Sequence, residues 1–301
     1  MIPINILELL FALMSIASTI VMIFEKFLPT FFKQAIRYGK FAYRGPSSKL
    51  AVEVPKSWFR HFYIYSSVLT MFTLDIVVRV YFFDAFPPKW IVRLLDVVVD
   101  PRRIAVVTPT STLLAMFLLT LQCLRRVYET HFVSVFGINS RMNLAHYCIG
   151  YIHYTGCILC ILSSAPKFGQ HAYRYPLIQL TDLSFFDIIA TLLFFWAWFH
   201  QYKTTVILGN LRKNERGEVI TQKHRLPEGD WFNYVASPHL LAEILMYISL
   251  TMILWQNTSW LFISAWVLVN QIQTALLSFW WYKSTFPSFP ENRKAIIPFI
   301  L

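Results

Sequence analysis

A basic stretch between two apolar segments holds the residues best suited to chemistry in this chain. It runs from Asn210 to Glu243 and carries five cations, which are Arg212, Lys213, Arg216, Lys223 and Arg225. Before Glu243, the loop holds four carboxylates against these five cations, which leaves one positive charge in excess and favours an anion-binding loop over a solvated tether. These carboxylates are Glu215, Glu218, Glu228 and Asp230. Glu243 lies inside the second apolar segment, where a carboxylate is costly to hold and by default marks a functional site. The stretch therefore predicts a charged cofactor at a membrane face, with its reactive end directed inward.

Composition places the chain among integral membrane proteins. Of its 301 residues, 56% are hydrophobic and 14% are charged, whereas a soluble domain carries about 25% charged residues. The net charge of +11 is better explained by lipid headgroups and membrane topology than by nucleic acid, because no zinc finger or RNA-binding signature is present. All four cysteines lie in apolar segments, so the sequence indicates no disulfide framework, and no metal-binding motif is found.

Seven apolar segments are long enough to cross a bilayer as helices, which predicts an all-α, multi-pass membrane fold in one domain over residues 1–301. The first segment, about Ile4–Phe24, is longer than a signal-peptide core and follows no basic region, so we interpret it as a retained anchor. Between Pro29 and Gly39, apolar residues share one helical face, which predicts a short interfacial helix. The other six predicted spans are approximately Phe62–Phe83, Ile104–Leu124, Leu144–Ala165, Leu183–Phe199, Val235–Trp255 and Trp260–Trp281.

The distribution of basic residues orients these spans. The loops predicted on one side, together with the C-terminal tail, carry 20 lysines and arginines, whereas the other side carries 6, and Arg79 lies within a span. Because cytoplasmic loops of membrane proteins are enriched in lysine and arginine, the pattern predicts a lumenal N-terminus and a cytosolic C-terminus. The basic stretch around Arg212 then faces the cytosol.

Polar side chains within the predicted spans leave alternatives open. His146 and His153 are seven residues apart in the fourth span, where polar packing is favoured over a metal site because a metal needs more ligands. A polar stripe in the seventh span is explained equally well by hydrogen bonds between helices and by a wall lining a cofactor site. The stripe consists of Asn270, Gln273, Thr274 and Ser278. No G-x-G-x-x-G follows a strand and no P-loop is present, so a bound dinucleotide is not expected in a Rossmann fold.

Two longer motifs in the C-terminal part are more distinctive. They are NLRK…HRLPEGDWFNYVASPHLLAE, over Asn210–Glu243, and WYKSTFPSFPENRKAIIPFIL at the end of the sequence. These motifs resemble the steroid 5-alpha-reductase family, and within it the polyprenol (polyprenal) reductase branch that makes dolichol. The resemblance extends through most of the chain and is strongest over residues 200–301. It implies a seven-helix reductase of the endoplasmic reticulum membrane that uses NADPH and saturates a double bond conjugated to a carbonyl.

The resemblance also implies roles for individual residues. Glu53, in the sequence EVP, matches a family acid that hydrogen-bonds the substrate carbonyl; the alternative, a solvated acid that neutralises nearby lysines, stays open. Glu243 matches an acid beside the nicotinamide carboxamide. Three arginines match family positions near the cofactor phosphates, which a guanidinium binds bidentately. These arginines are Arg126, Arg212 and Arg225, and His239, Tyr282 and Arg293 are further positions matching the cofactor site.

Three positions depart from the steroid-reducing members. The tyrosine that helps their glutamate hold the ketone falls at Cys123, which cannot form a comparable hydrogen bond. Their asparagine before L-G-E falls at His239, and their histidine four residues before Tyr282 falls at Ser278. The first departure argues against a steroid substrate, and the other two alter the nicotinamide contacts.

We therefore expect an NADPH-dependent reductase of a polyisoprenoid enal, polyprenal, in dolichol biosynthesis for protein N-glycosylation. Residues 1–124 would lie on the substrate side, and residues 200–301 would bind the cofactor. Hydride would reach the β-carbon of the α-isoprene unit while Glu53 stabilises the enolate oxygen. The expected partners are this lipid substrate and membrane lipid, without nucleic acid or metal, and the oligomeric state is left open. Alternatives are a steroid 5-alpha-reductase, a trans-enoyl-CoA reductase and a non-catalytic membrane scaffold or transporter.

The charge asymmetry makes a prediction about topology. Epitope tags at the two ends should show a lumenal N-terminus and a cytosolic C-terminus, because 20 basic residues lie on one side against 6 on the other. Protease treatment of intact microsomes measures this directly, and detergent-opened microsomes serve as the control. Protection of the C-terminal tag in intact microsomes would contradict the orientation and the cytosolic position of the basic stretch.

Overall fold

The computed structural model describes residues 4–43, 45–46, 48–49, 51–169 and 178–301, most of which are helical. Their α-helices are α1 (Ile6–Phe24), α2 (Thr30–Ile36), α3 (Phe59–Phe82), α4 (Lys89–Val98), α5 (Pro109–Tyr128), α6 (Leu144–Ser163), α7 (Phe185–Asn210), α8 (Pro238–Ile253) and α9 (Thr258–Thr285). Four of these regions are long and apolar enough to cross a membrane. They are Ile6–Phe27, Lys56–Phe82, Leu144–Ser163 and Thr258–Thr285. The described part of the chain is thus mostly helical and has four candidate membrane spans.

Each of the seven predicted spans coincides with a helix, but the predicted ends differ in an instructive way. Helix α7 continues to Asn210, whereas the apolar pattern predicts an end at Phe199. The extension is helical because it buries polar and small side chains against neighbouring elements, including Gln201, Thr204 and Gly209. The apolar run marks only the part of a helix that lies within a bilayer. A helix whose end carries buried polar side chains therefore continues beyond the apolar run.

Two short strands correct the all-α prediction. Strand β1 (Glu53–Pro55) pairs antiparallel with β2 (Arg141–Asn143), and Glu53 lies opposite Asn143. Val54 and Met142 form the buried pair between them. Strands of three residues are too short to show a period-two pattern, so hydrophobic periodicity does not predict them. The pair ties the segment before α3 to the start of α6.

The interfacial segment expected between Pro29 and Gly39 is a helix, α2. A further amphipathic helix, α4, was not predicted because its ten residues are too short for a span. It buries Ile91 and Leu95 against the main core.

Helix packing brings the functional segments together at one end of the bundle. Helix α7 packs along α8, α3 along α5, and α1 along α9. Helix α6 approaches α1 closely at Gly156, where a Cβ would lie 2.5 Å from the ring of Phe11. Side chains from the start of α3, the end of α5, the start of α6, the end of α7, the start of α8 and the end of α9 line a common cavity.

Candidate active site

A cavity of about 440 Å³ lies where the ends of these six helices meet the basic loops. It brings together six of the residues that the sequence motifs single out, although they are far apart in the chain. These residues are Arg126, Arg212, Arg225, His239, Glu243 and Tyr282. The cavity has three parts, a cationic mouth, a polar middle and an aromatic interior, each built from different elements.

The mouth is formed by the turn after α7 and by the loop that precedes β1. Arg212 donates to the carbonyl oxygen of Val135 and, at 2.8 Å, to Nδ1 of His224. Lys40 lies with its Nζ atom 3.8 Å from the centre of the Tyr282 ring, a cation–π contact. Arg225 is exposed at the rim. No carboxylate lines this cationic mouth among the described residues, so the mouth is suited to a polyanion.

Burial and mutual repulsion perturb the ionisation of these cations. Burial, together with the positive charges of Lys56 and Arg212, holds the pKa of Lys40 well below its ordinary value. Partial burial and the charges of Arg212, Lys40 and Lys56 lower the pKa of His224 to about 4. An anion in the mouth would relieve both effects, because it favours the charged forms.

The polar middle is centred on Glu243. One oxygen of its carboxylate, Oε2, accepts hydrogen bonds from the amide of Gln122 on α5 at 3.2 Å and from the amide of Gln201 on α7. Gln201 also donates to the carbonyl oxygen of His239 at 3.0 Å. Two amides therefore hold one carboxylate oxygen, and no described residue hydrogen-bonds its other oxygen, Oε1. Nδ1 of His239 is buried and likewise has no hydrogen-bond partner among the described residues.

Arg125 and Arg126 point in different directions from the end of α5. Arg126 lines the cavity and hydrogen-bonds the hydroxyl of Tyr63 at 3.1 Å. Arg125 turns into the bundle, where it donates to Gln122 at 2.7 Å. Both arginines pair with Glu129, whose side chain is fully buried. The carboxylate therefore anchors the two cations, and Arg126 has less freedom to bind a phosphate than Arg212 has.

The interior is aromatic and largely apolar. Its lining includes Phe62, Tyr154, Tyr247 and Trp266. His153 contacts the Tyr247 hydroxyl through Nε2 at 2.5 Å, so it takes part in polar packing, as expected. Such a lining suits an apolar ligand that carries a single polar group.

The polar stripe of α9 is divided between the cavity and a contact between helices. Asn270, Thr274 and Ser278 line the cavity. Gln273 lies on another face of the helix, where it accepts a hydrogen bond from Ser18 of α1 at 2.6 Å. One polar stripe thus serves both the cavity and the contact between helices.

Three positions implied by the resemblance lie outside the cavity lining. Glu53 is exposed on β1, where its Oε1 accepts a hydrogen bond from the Gln34 amide at 3.4 Å, so its role as an acid stays a prediction. Arg293 is buried and donates to the carbonyl oxygen of Pro227 at 3.0 Å, which ties the C-terminal tail to the basic loop. Cys123 is fully buried in the main core.

The sequence alone did not single out several cavity residues. Lys40 lies in a basic loop, where it resembles the other lysines that orient loops relative to a membrane. Gln122 and Gln201 resemble the polar residues that tie helices together, and Tyr63 is one of many aromatic residues near an interface. Their spacing in the sequence carries no signal, because only the tertiary contacts between α3, α5, α7 and α8 bring them to the cavity.

Comparison with known proteins agrees with these motifs. The family described as 3-oxo-5-alpha-steroid 4-dehydrogenase matches residues 140–301. A polyprenal reductase of Drosophila melanogaster is 39% identical over 284 residues, which cover 92% of this chain and 86% of that protein. A polyprenal reductase of Homo sapiens is 39% identical over 273 residues, which cover 89% of this chain and 86% of the relative.

A more distant polyprenal reductase, from Caenorhabditis elegans, is 33% identical over 268 residues, which cover 88% of this chain and 85% of its own length. The similarity thus extends over most of the chain. The chain belongs to the 3-oxo-5-alpha-steroid 4-dehydrogenase family, the steroid 5-alpha-reductase family that its C-terminal motifs indicate.

Proposed function

We propose that this protein reduces the α-isoprene double bond of polyprenal with NADPH, a step in dolichol synthesis for protein N-glycosylation at the endoplasmic reticulum membrane. The observation that carries the proposal is that one continuous cavity has both a cationic mouth and an aromatic interior. Such a cavity lets a polyanionic cofactor meet an apolar substrate. The relatives named polyprenal reductase support this choice of substrate.

The proposal includes seven membrane spans, α1, α3 and α5 to α9, with the N-terminus in the lumen. The four long apolar regions support it, and so does the convergence of the basic loops on one end of the bundle. In this arrangement the cationic mouth opens to the cytosol. Residues 1–124 contribute the substrate side, and residues 200–301 contribute most of the cofactor side.

The residues of the mouth and middle fit NADPH. Arg212, Arg225 and Lys40, which line the same cavity, would hold its phosphates. Glu243 keeps an oxygen free for the carboxamide of the nicotinamide, and the unpartnered Nδ1 of His239 offers a further hydrogen bond. Tyr282 contacts Lys40 through its ring. Arg293 would hold the loop around Arg225 in place through its hydrogen bond to the carbonyl oxygen of Pro227. NADPH, when bound, supplies a hydride.

The aromatic interior would hold the isoprene unit that reacts, with the rest of the polyprenyl chain running out between helices into lipid. Rings such as Phe62 and Trp266 exclude water from the reacting carbons. Within that interior a hydrogen-bond donor is worth more than in water, because the local dielectric constant is low. The role of this chain is therefore to orient the enal and to stabilise charge on its oxygen. Glu53 remains one predicted donor.

The arginines of the mouth provide a test of the cofactor site. A charged hydrogen bond contributes about 1.5–3 kcal/mol, which corresponds to about a ten- to hundredfold change in affinity. Arg212→Ala and Arg225→Ala should therefore raise the Kd for NADPH by about that factor. Arg102→Ala is the matched control, because Arg102 is exposed in the loop after α4 and lies outside the cavity lining. Wild-type affinity for NADPH in both mouth variants would mean that these arginines contribute only to the orientation of the chain in the membrane.

Lys40 predicts a pH dependence of NADPH binding. Its pKa is lowered in the free protein, and a bound phosphate would raise it, so binding takes up a proton. Affinity should therefore fall as the pH rises through the lowered pKa. Measurements belong above neutral pH, where the 2′-phosphate, with a second pKa of about 6, is already ionised. His224, with a pKa of about 4, stays neutral there when free.

Lys40→Arg separates this effect from other titrations, because arginine keeps its charge throughout the range. Its Kd for NADPH should rise less steeply than the wild-type Kd over the same interval, because Lys56 is then the one lysine of the described cavity lining that can still lose its charge. The same slope in both proteins would show that Lys40 does not contact the phosphates.

The chemistry of the double bond predicts which substrate is reduced. Hydride addition leaves an electron pair on the neighbouring carbon. The conjugated aldehyde of polyprenal moves this charge onto oxygen, where a donor stabilises it, whereas polyprenol has no such acceptor. Purified protein in detergent should oxidise NADPH with polyprenal and form the saturated aldehyde, with no turnover of polyprenol. Product masses are the measurement, with a 3-oxo-Δ4 steroid and an enoyl-CoA as competing substrates.

Conversion of polyprenol to dolichol by this protein alone would contradict the mechanism. Faster reduction of the steroid than of polyprenal would favour the steroid 5-alpha-reductase alternative. Absence of turnover and of NADPH binding would favour a scaffold or transporter.

A further inference from the structure

We propose that the hydroxyl of Tyr63, polarised by Arg126, donates the hydrogen bond that stabilises the substrate oxygen. This inference rests on the proposed reduction of an enal and identifies the residue that acts on its carbonyl. It assigns Arg126 a task at the reacting end of the cavity instead of at the phosphates.

The hydrogen-bond chemistry of the pair fixes the direction of the Tyr63 proton. Nη2 of Arg126 lies 3.1 Å from the Tyr63 hydroxyl oxygen. A guanidinium has five donors and no acceptor, so the phenol oxygen must accept this bond. Among the described residues Arg126 is the only hydrogen-bond partner of the Tyr63 hydroxyl, so its hydrogen is free. Since Tyr63 lines the cavity, the free hydrogen is available to a ligand.

A buried carboxylate holds Arg126 in this position. Glu129, with a fully buried side chain, accepts a hydrogen bond from Nη1 of Arg126 and pairs with Nε of Arg125 at 3.2 Å. The guanidinium carbon of Arg126 also lies 4.9 Å from the centre of the Tyr63 ring. The positive charge is thereby fixed beside the phenol. It strengthens the phenol as a donor and favours negative charge on an oxygen bound to it.

The surroundings of Tyr63 suit an isoprene unit. Phe62 lies 4.5 Å from it and Tyr154 lies 6.0 Å from it, measured between ring centres. Both rings line the same cavity, as does Glu243. Glu53, the residue that the sequence analysis assigned to this task, is placed less well, because it is exposed outside the cavity lining. Cys123, which occupies the position of the family tyrosine, is buried in the core.

Tyr63 contributes a hydrogen bond and keeps its proton. Hydride addition forms a C–H bond at the β-carbon; the π pair of the carbon–carbon double bond shifts toward the carbonyl carbon, and the carbonyl π pair moves to oxygen. Tyr63 and Arg126 stabilise that oxyanion. A proton from water then adds to the α-carbon, the oxygen pair re-forms the carbonyl, and the product is the saturated aldehyde.

Removal of the phenolic hydroxyl is the first test. Loss of one oxyanion donor lowers kcat by about 100- to 1,000-fold in enzymes that rely on such donors, and Tyr63→Phe should show a loss of this size with polyprenal. Its Kd for NADPH should not change. Tyr65→Phe is the matched control, since Tyr65 lies on the same helix, outside the cavity lining, and its hydroxyl hydrogen-bonds Thr155 at 2.8 Å.

Infrared spectroscopy tests the hydrogen bond without turnover. The carbonyl stretch of the C15 isoprenoid enal farnesal, bound to the cofactor-free protein, should shift to lower wavenumber than in detergent alone. The shift should disappear in Tyr63→Phe and persist in Tyr65→Phe. A fold defect would abolish binding of farnesal as a whole, whereas the inference requires bound farnesal with an unshifted carbonyl.

Arg126 is tested as a positioning residue by a double-mutant cycle. Arg126→Met should lower kcat in the wild-type background and add little to the loss in Tyr63→Phe, because it acts through the phenol. Arg125 remains as a partner for Glu129 in this variant. An increase in the Kd for NADPH with unchanged kcat would instead place Arg126 at the phosphates and overturn its assignment here.

Full activity and a normal carbonyl shift in Tyr63→Phe would overturn the inference, even if the wild-type protein reduces polyprenal as proposed. The same holds if Tyr154→Phe or Glu53→Ala removes the carbonyl shift and Tyr63→Phe does not. For Glu53, a smaller loss in Glu53→Gln than in Glu53→Ala would identify the carboxyl as the donor, because the amide still donates.

Discussion

Pairing of buried charge is the constraint on which this structure depends. An unpartnered ion inside an apolar bundle is strongly destabilising, so charged side chains there require polar partners within hydrogen-bond distance. Glu129 meets this requirement with two arginines at the end of α5, and Glu243 meets it with amides from α5 and α7. The second set of contacts joins three helices, because the carboxylate itself belongs to α8. The polar middle of the cavity thus follows from what the charges require of their neighbours.

The helices were predictable because their signal is local. An apolar run of about twenty residues predicts a helix without any knowledge of its tertiary contacts. All seven runs coincide with helices. The polar end of α7 and the pairing of β1 with β2 were not predictable, since each depends on contacts with distant segments. Gln201, for example, lies beyond the predicted end of its span, and its burial follows only from the packing of α7 against α8.

The candidate site shows the same division. Motifs identified Arg212, Arg225, His239 and Glu243 as residues of one site, and the structure places all four around one cavity. A motif gives the identity of a residue but not the direction of its side chain. The match at Glu53 therefore did not predict that this residue lies exposed outside the cavity lining. Tyr63 shows the converse case. No motif identifies Tyr63, and its importance follows only from the structure, where Arg126, which cannot accept a hydrogen bond, lies beside its hydroxyl oxygen.

The order in which the partners of each charge occur along the chain bears on how the protein enters a membrane during synthesis. Arg125 and Arg126 precede Glu129 by four and three residues, so this ion pair can close within a single nascent helical turn. Gln122 and Gln201 both precede Glu243 in the chain. In the proposed seven-span topology, a ribosome delivers α5 and α7 before α8, and the carboxylate of α8 reaches a bilayer in which both of its amide partners are already present.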